Sequence, residues 1–511
     1  MVLRVMLRMK IDVARLWKSL SNISYLKDLC VLQRKKSVDV FIVGGIIRDL
    51  LLNRVSVKEV VEIDFAVSGE VKDFTQFLSC QLKGHFVILD EKSKTFRIVF
   101  DGEKPYQFDF SQFRGANIAE DLYLRDFTVN ALALDLKGLR DKNLFKLIDP
   151  WGGLEDMKKK TIRVVSEKSF IDDPLRIVRA FTFSQELGFR IAPFTESLIK
   201  KEASLLSGVA GERITEQLAR ILETPFSYEM IRKMDGLGVL DKIFPLIIGM
   251  RGVEQGPYHH LDVWKHSLRT LKELEKLLAQ LYSKKLIGKR IREYLEERIA
   301  GVRKRLFVLK LGALFHDLGK PWAKEITADG KIRFIGHEKL GAELACKIIE
   351  RLKLSSREEN ILIKLINLHL RPGYLVDTKD VSPRAKLRFF RVGGEESIAL
   401  ILVALADKFS TRGPLTTSQS RREFKKYLLH LIQAYFYEQD IVKPPRILNG
   451  EEVMQILNIS PGPLVGKILK TLEEAQVEKR IKDKKEAEDF VRYLYKSVGE
   501  IKEKNNGALQ G

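Results

Sequence analysis

Apolar and polar positions alternate with period two in several short stretches of the first 138 residues. Successive side chains of a strand point to opposite faces, so this alternation predicts strands. "VDVFIVGG" reads as a buried strand ending in a glycine pair, and "EIDFAV", "HFVILD", "FRIVFD" and "YQFDF" read as further strands. "IIRDLLL", between the first two, has helical spacing. From about residue 139 the pattern turns helical, as in "PLRIVRAFTFSQELGF" and "ERITEQLARILET". The first twenty residues look like an amphipathic helix, and the charged stretch 272–306 is expected to form solvated helices. "VKPPR" at 442–446 reads as a linker. The expected organisation is an α/β part over 1–138, a helical neck over 139–245, a helical domain over 246–440 and a helical tail over 441–511.

With 511 residues the chain is too long for one core. A net charge of +21 favours a polyanionic partner, nucleic acid or an anionic surface, over a merely solvated lysine-rich exterior. Cys30, Cys80 and Cys346 are far apart and form no CxxC pair, which excludes a zinc knuckle and a disulfide framework. No apolar window approaches a membrane span, and Arg and Lys interrupt every apolar run near the N-terminus. No membrane partner and a cytoplasmic location are expected.

Two carboxylates, Glu62 and Asp64, lie one residue apart in "EIDFAV" and so share a strand face. They follow Gly44-Gly45, where backbone N–H groups can approach an anion closely, and a helix whose positive end points at the same place. Paired acids beside a phosphate cradle suit a Mg²⁺–nucleotide site better than a pair of surface acids. Asp109, in "YQFDFSQFR", is a third acid on a strand able to lie alongside.

"GGIIRD…EID", "DLYLRDFTVNALAL", "IDPWGGLEDMKKKTIRVV", "DDPLRIVRAFTF" and "GERITEQLARIL" occur in this order over the first 225 residues or so. Together they resemble the bacterial-type tRNA nucleotidyltransferases and their poly(A) polymerase relatives. The resemblance implies an α/β head of the DNA polymerase β superfamily followed by an all-α neck, body and tail. It implies a two-ion Mg²⁺ site on Glu62 and Asp64, with Asp109 helping to deprotonate the attacking hydroxyl. Gly44, Gly45 and Arg48 match triphosphate contacts, and Arg125, Asp126 and Asn130 match residues around the nucleotide sugar and phosphates. Asp173 and Arg176 match the pair that reads the incoming base without a template, with Arg179 a phosphate contact one turn on. Three residues apart, Asp173 and Arg176 are expected on one helix face, where the plain alternative is an i,i+3 ion pair. A carboxylate accepting from the cytosine amine, with an arginine on the ring acceptors, would admit CTP and refuse uracil and guanine. The implied partners are CTP and the 3′ end and acceptor arm of tRNA. Four departures stand out. Glu62 stands for a usual Asp, Asn53 for a customary Gly, Leu124 for the first Arg of an Arg-Arg-Asp triplet, and Asp172 for a Glu. The segment from Asn53 to Glu62 is also longer than usual.

Seven of the eight histidines fall in 250–435. His266, the adjacent pair His316-Asp317, His337, His369 and Asp407 occur in an order similar to an HD-type metal phosphohydrolase. Imidazoles and carboxylates suit a second divalent metal, with His266, His316, Asp317 and Asp407 as the central set. His337 and His369 are candidates for a second ion or a phosphate, and Lys320 for a phosphate contact. His259, His260 and His430 are expected to be structural. The alternative is a vestigial HD fold serving as an RNA-binding body. In the tail, "PGPLVGKIL" is a candidate contact to the tRNA backbone.

Only "GANIAE" separates Arg114 from "DLYLRD". Relatives that add all of CCA have a much longer loop here, and short-loop relatives resemble CC-adding enzymes that leave the terminal A to a separate A-adding enzyme. The expected activity is therefore CC addition from CTP with release of pyrophosphate. Full CCA addition from CTP and ATP is one alternative, and an HD phosphohydrolase with a nucleotide-binding front domain is another.

Overall fold

The computed structural model describes residues 13–54, 61–101, 106–140, 145–377 and 382–507. The start of the expected N-terminal amphipathic helix and most of the segment between Asn53 and Glu62 lie outside the described residues. The chain divides into two compact units, residues 1–221 with 233–243 and residues 222–232 with 244–511.

The first unit is built on seven strands: β1 (Val40–Val43), β2 (Val61–Val67), β3 (His85–Asp90), β4 (Thr95–Phe100), β5 (Tyr106–Gln112), β6 (Ala133–Asp135) and β7 (Leu147–Ile148). They lie in the order β3-β4-β5-β2-β1-β6-β7. Within this sheet only β2 and β5 run parallel among the described residues, and their connection runs through the helix Val71–Leu82 and the hairpin β3-β4. That helix packs Val71, Phe74 and Leu78 against the sheet. The alternation read from the sequence decides which face is core. Ile63 and Phe65 on β2 and Phe108 and Phe110 on β5 are fully buried, and Phe65 stacks on Phe110 at 4.6 Å between ring centroids. Glu62, Asp64 and Asp109 therefore point to the opposite face. The sheet continues to Ile148, past the point where strand-like alternation fades, because β7 has only two residues and two residues carry no period.

The helices Leu175–Leu187, Pro193–Glu202 and Gly211–Leu222 follow the sheet. Asp173 lies outside the helix it was expected to share with Arg176. It is extended, with φ −149° and ψ 99°, because Pro174 disfavours a helical conformation in the residue before it. Asn53 adopts φ 55°, a left-handed conformation that asparagine tolerates better than most residues in place of glycine.

The second unit is helical. The helix Ser397–Ser410 is buried from Ser397 to Ala406 and forms the axis against which Val263–Tyr282 and Arg305–Phe315 pack. The stretch 272–306 departs from the expected solvated helices. Val263–Tyr282 buries Leu271, Leu274, Leu277, Leu278 and Leu281 together with Glu275, whose Oε1 accepts from Lys310 Nζ at 2.7 Å. Arg305 is also buried, donating to Glu297 at 2.6 Å. Charge in this stretch marks buried ion pairs as well as a wet face. The tail helices Gly450–Leu457, Pro463–Val477 and Lys484–Gly507 form their own core around Val453, Ile468, Leu472 and Val491. Glu474 ties that core to the helix Pro383–Gly393 by accepting from Arg384 and Arg388, both at 2.7 Å. Among the described residues no helix is long and apolar enough to cross a membrane.

Candidate functional site

In the first unit a recess of about 320 Å³ is lined by Gly44, Gly45, Asp64, Asp126, Asn130 and Asp173, with six arginines: Arg48, Arg114, Arg125, Arg176, Arg179 and Arg213. Of the three strand acids, Asp64 lines it. Asp64 and Asp109 are direct register partners on β2 and β5, and Glu62 is one pleat along on the same face. Partial burial, then Asp109 and Glu62, raise the Asp64 carboxyl to about 6, with Arg125 and Arg97 opposing. Gly44 has φ +81°, and a Cβ there would stand 2.7 Å from Asp64 Oδ2. Only glycine leaves that carboxylate oxygen open. Glu62 and Asp64 offer the carboxylate oxygens that suit divalent cations, while both oxygens of Asp109 are taken by Arg97.

The basic side is a set of linked pairs. Arg48 Nη1 donates to Asn130 Oδ1 at 2.5 Å, Asn130 Nδ2 donates to Asp126 Oδ1 at 3.0 Å, and Arg179 Nε donates to Asp126 Oδ2 at 3.0 Å. The Arg48 and Arg179 guanidiniums lie 5.1 and 5.0 Å from the centre of the Phe183 ring. Burial opposes the charge on Asp126, but Arg179 and Asn130 hold its carboxyl below the usual range. Arg125 and Arg114 share the buried Asp121 carboxylate, at 3.1 and 3.4 Å.

The expected base-reading pair do not pair with each other. Arg176 is buried and donates to Leu124 O at 2.8 Å and to Ser169 Oγ at 3.1 Å. Asp173 accepts from Arg213 Nη2 at 2.9 Å and from the Leu175 backbone N at 3.3 Å. Both residues still line the recess, although the extended backbone at Asp173 takes it off the helix face of Arg176.

Arg97, Asp121 and Arg213 were not singled out in the sequence. Arg97 grips Asp109 with two hydrogen bonds, at 2.7 and 2.8 Å. An arginine inside the apolar run "TFRIVF" was a usable signal. Its partner was not, because it depends on the antiparallel register that sets Arg97 opposite Asp109.

The second unit brings all six expected residues into one cluster. Asp317 Oδ2 lies 3.5 Å from His266 Nε2 and 3.2 Å from His316 Nε2, while Oδ1 lies 3.4 Å from His337 Nε2 and 3.7 Å from His369 Nε2. Asp407 Oδ1 adds 3.0 Å to His266 Nε2. Two ligand groups thus share one aspartate: His266, His316 and Asp317, and Asp317, His337 and His369.

The orientation of the rings follows from their outer nitrogens. Nδ1 of His316, His337 and His369 lies 3.0, 2.7 and 2.7 Å from the carbonyl oxygens of Ala313, Phe334 and Ile366. Ser410 Oγ donates to Asp407 O, so it accepts from His266 Nδ1 at 3.1 Å. With the proton on Nδ1, each Nε2 presents a lone pair to the centre. Burial pushes His266 down and His369 to about 3, which keeps them neutral. Burial would also lower His316, but the Asp317 carboxylate raises it. His266 Nε2 and His316 Nε2 are buried without hydrogen-bond partners among the described residues, which is costly unless a cation satisfies them. His266, His316 and Asp317 could hold one divalent ion, and Asp317, His337 and His369 could hold another.

Of the residues expected to be structural, His260 and His430 are exposed, but His259 stands edge-on to His266 at 4.8 Å between centroids. Lys320 Nζ reaches Asp317 Oδ2 at 2.7 Å.

Comparison with known proteins gives the same two-part picture. A family described as "Poly A polymerase head domain" matches residues 40–163. "HD domain" matches 263–412, and "tRNA nucleotidyltransferase domain 2 putative" matches 398–490. An A-adding tRNA nucleotidyltransferase of Deinococcus radiodurans is 31% identical over 88% of this chain and 94% of its own. A CC-adding tRNA nucleotidyltransferase of Thermus thermophilus is 29% identical over 89% of this chain and 93% of its own. Among solved structures, a CCA-adding enzyme of Thermotoga maritima complexed with tRNA superposes with a TM-score of 0.63 at 23% identity, covering 95% of this chain and all of that one. The chain belongs to the bacterial-type tRNA nucleotidyltransferases, with a poly(A)-polymerase-type head and an HD domain.

Proposed function

We propose that this protein adds two cytidines from CTP to the 3′ end of tRNA without a template, releasing pyrophosphate, and leaves the terminal adenosine to a separate A-adding enzyme. The observation that carries nucleotide addition is the recess in which Asp64, beside Glu62 and Asp109, faces a ring of arginines. Mg²⁺ held by Glu62 and Asp64 would lower the pKa of the tRNA hydroxyl and neutralise the triphosphate. The chain itself supplies Gly44 and Gly45 for close approach of phosphate, and Arg48, Arg125 and Arg179 to orient it. Asp173 and Arg176 read the base edge. In this reading 1–138 is the catalytic part, 139–245 the neck that recognises base and tRNA, 246–440 the HD part and 441–511 a tail. In the tail, Lys467 and Lys470 stand exposed on the helix Pro463–Val477 to meet the tRNA backbone.

Restriction to CC rests on the turn between Arg114 and Asp121. Asn117 caps the helix Ile118–Tyr123 by accepting from the Glu120 backbone N at 3.1 Å, and Glu120 Oε2 accepts from Ala116 N at 2.8 Å. A turn bonded to itself has little reach to reshape a base pocket for a purine. The similarity to an A-adding enzyme favours a second reading, in which the same pocket takes ATP, either alone or after two cytidines.

One assay separates these. Purified protein is given tRNA ending at its discriminator base, or at CC, with labelled CTP and ATP. Two cytidines added to the discriminator-base end, none added to the CC end, and no AMP on either is the expected result. AMP added only to the CC end identifies an A-adding enzyme, and a complete CCA end identifies a full CCA enzyme.

The second centre is proposed to be a metal-dependent phosphohydrolase for phosphomonoesters or 2′,3′-cyclic phosphates. Its unpartnered Nε2 atoms and bridging aspartate support this. Hydrolysis of such esters by protein loaded with Mn²⁺ or Mg²⁺ tests it. Absence of both metal binding and hydrolysis leaves the helical unit as an RNA-binding scaffold.

A further inference from the structure

The ten residues 253–262 form a closed loop ahead of the helix that carries His266. Its ends meet where Val263 N donates to Val253 O at 3.2 Å, and Gln255 Nε2 braces it by donating to Leu261 O at 3.1 Å. Gly413, beyond Asp407, donates its N–H to Tyr258 O at 2.8 Å. The packing there is so close that a Cβ on Gly413 would stand 2.2 Å from Pro257 O. The loop is therefore fixed at its base and at its tip.

Two of its side chains reach the metal-ligand cluster. Gln255 Oε1 accepts from Lys320 Nζ at 2.7 Å, and the same ammonium touches Asp317. His259 lies edge-on to His266 and within the electrostatic reach of Lys320, Asp407 and Asp317. It differs from the four ligand histidines. Their Nδ1 atoms are committed to carbonyls or to Ser410, whereas His259 Nδ1 is buried with no hydrogen-bond partner among the described residues. It also belongs to neither ligand group. A rigid loop that holds an unsatisfied imidazole nitrogen and an aligned ammonium beside a metal-ligand cluster calls for an anionic oxygen ligand. The cluster opens at Asp407, whose side chain is 26% exposed.

We infer that His259 donates a hydrogen bond to a phosphate oxygen of the ester bound at the second centre, while Lys320, positioned by Gln255, meets another oxygen of the same phosphate. This rests on the phosphohydrolase reading of that centre and adds the groups that hold the phosphate apart from the metal ligands. Neither residue forms or breaks a covalent bond.

The test uses full-length protein carrying Asp64→Ala, so that the first site is silent, loaded with Mn²⁺. Inorganic phosphate is the probe, titrated calorimetrically, with metal content and thermal midpoint measured on the same samples. His259→Ala and the bulkier, donor-free His259→Leu are expected to keep the metal content and midpoint and to bind phosphate about tenfold more weakly. kcat/KM for p-nitrophenyl phosphate falls in parallel, and on the wild-type background nucleotide addition to tRNA is unaffected. Phosphate affinity within twofold of the parent, loss of metal from both His259 variants, or no phosphate binding by the parent overturns the inference. If phosphate binding depends on His259 but the parent hydrolyses neither p-nitrophenyl phosphate nor a 2′,3′-cyclic phosphate, the contact stands and the phosphohydrolase reading falls.

Discussion

Asp64 and Asp109 stand side by side on the only parallel strand pair of the seven-stranded sheet, and Arg97, reaching across from β4, takes both oxygens of Asp109. Asp109 is thereby paired with a fixed partner, while burial, then the charges of Asp109 and Glu62, raise the Asp64 carboxyl to about 6. An acid whose folded pKa lies above its unfolded value loses stability as pH rises from about 4 to about 6 and does not regain it above. Asp64→Asn should therefore not lower the thermal midpoint at pH 8 in EDTA, while it reduces nucleotide addition by about a thousandfold or more. A variant that melts early, or one that still adds CMP at the wild-type rate, contradicts a metal-holding role. Glu62→Asp should retain substantial activity, since the shorter acid stays on the strand face it shares with Asp64.

Arg213 holds one oxygen of Asp173 from a half-exposed position, so it constrains the base-reading carboxylate without supporting the core. Arg213→Met should leave the fold intact and reduce the preference for the favoured nucleotide over its competitors by about tenfold, measured as a ratio of kcat/KM values. Unchanged discrimination would show that Asp173 is positioned by Leu175 and Pro174 alone.

Arg179 and Asp126 make the opposite case. The Asp126 carboxyl is buried and held below the usual range by Arg179 and Asn130, so its contribution is present above pH ~4 and is lost as pH falls through its lowered folded value. Arg179→Met leaves that charge unpaired. The expected loss is about 3–5 kcal/mol at pH 7 by urea unfolding, shrinking towards acid as Asp126 takes up a proton in the variant. A loss under about 1 kcal/mol, or one independent of pH, would show that Asn130 and the Phe127 backbone N suffice to hold the carboxylate.

In the second unit the two oxygens of Asp317 face two different pairs of histidines. Asp317→Asn should remove both bound metals, whereas His337→Ala should leave one, as counted by metal analysis after dialysis. Nucleotide addition should survive in both variants, because the acids of the first site lie in the other unit. Equal metal content in the two variants would mean that Asp317 does not bridge.

Much of the site was legible as local pattern. Alternation in "EIDFAV" and "YQFDF" puts Glu62, Asp64 and Asp109 on faces opposite Ile63, Phe65, Phe108 and Phe110, and burial of the phenylalanines then forces the acids outward. The order of histidines and aspartates from His266 to Asp407 singled out five side chains that converge as two ligand groups, and Asp407, which meets His266 at their edge. Both inferences work because each side chain's direction is set by its own strand or helix. Where that premise failed, the inference failed with it. Asp173 and Arg176 were expected on one helix face, but Pro174 keeps Asp173 extended and the pair separates.

The order of residues by itself therefore determined which groups exist, which face each strand shows, and that two clusters of acid, base and metal-ligand chemistry lie in one chain. Tertiary structure alone decided their partners. Arg97 meets Asp109 through an antiparallel register across twelve residues, Arg213 meets Asp173 across forty, and His259 reaches His266 because Gly413 pins its loop. Each of these contacts depends on how two distant segments are packed. That packing is fixed by the burial of side chains other than the two that meet, so no local spacing encodes it.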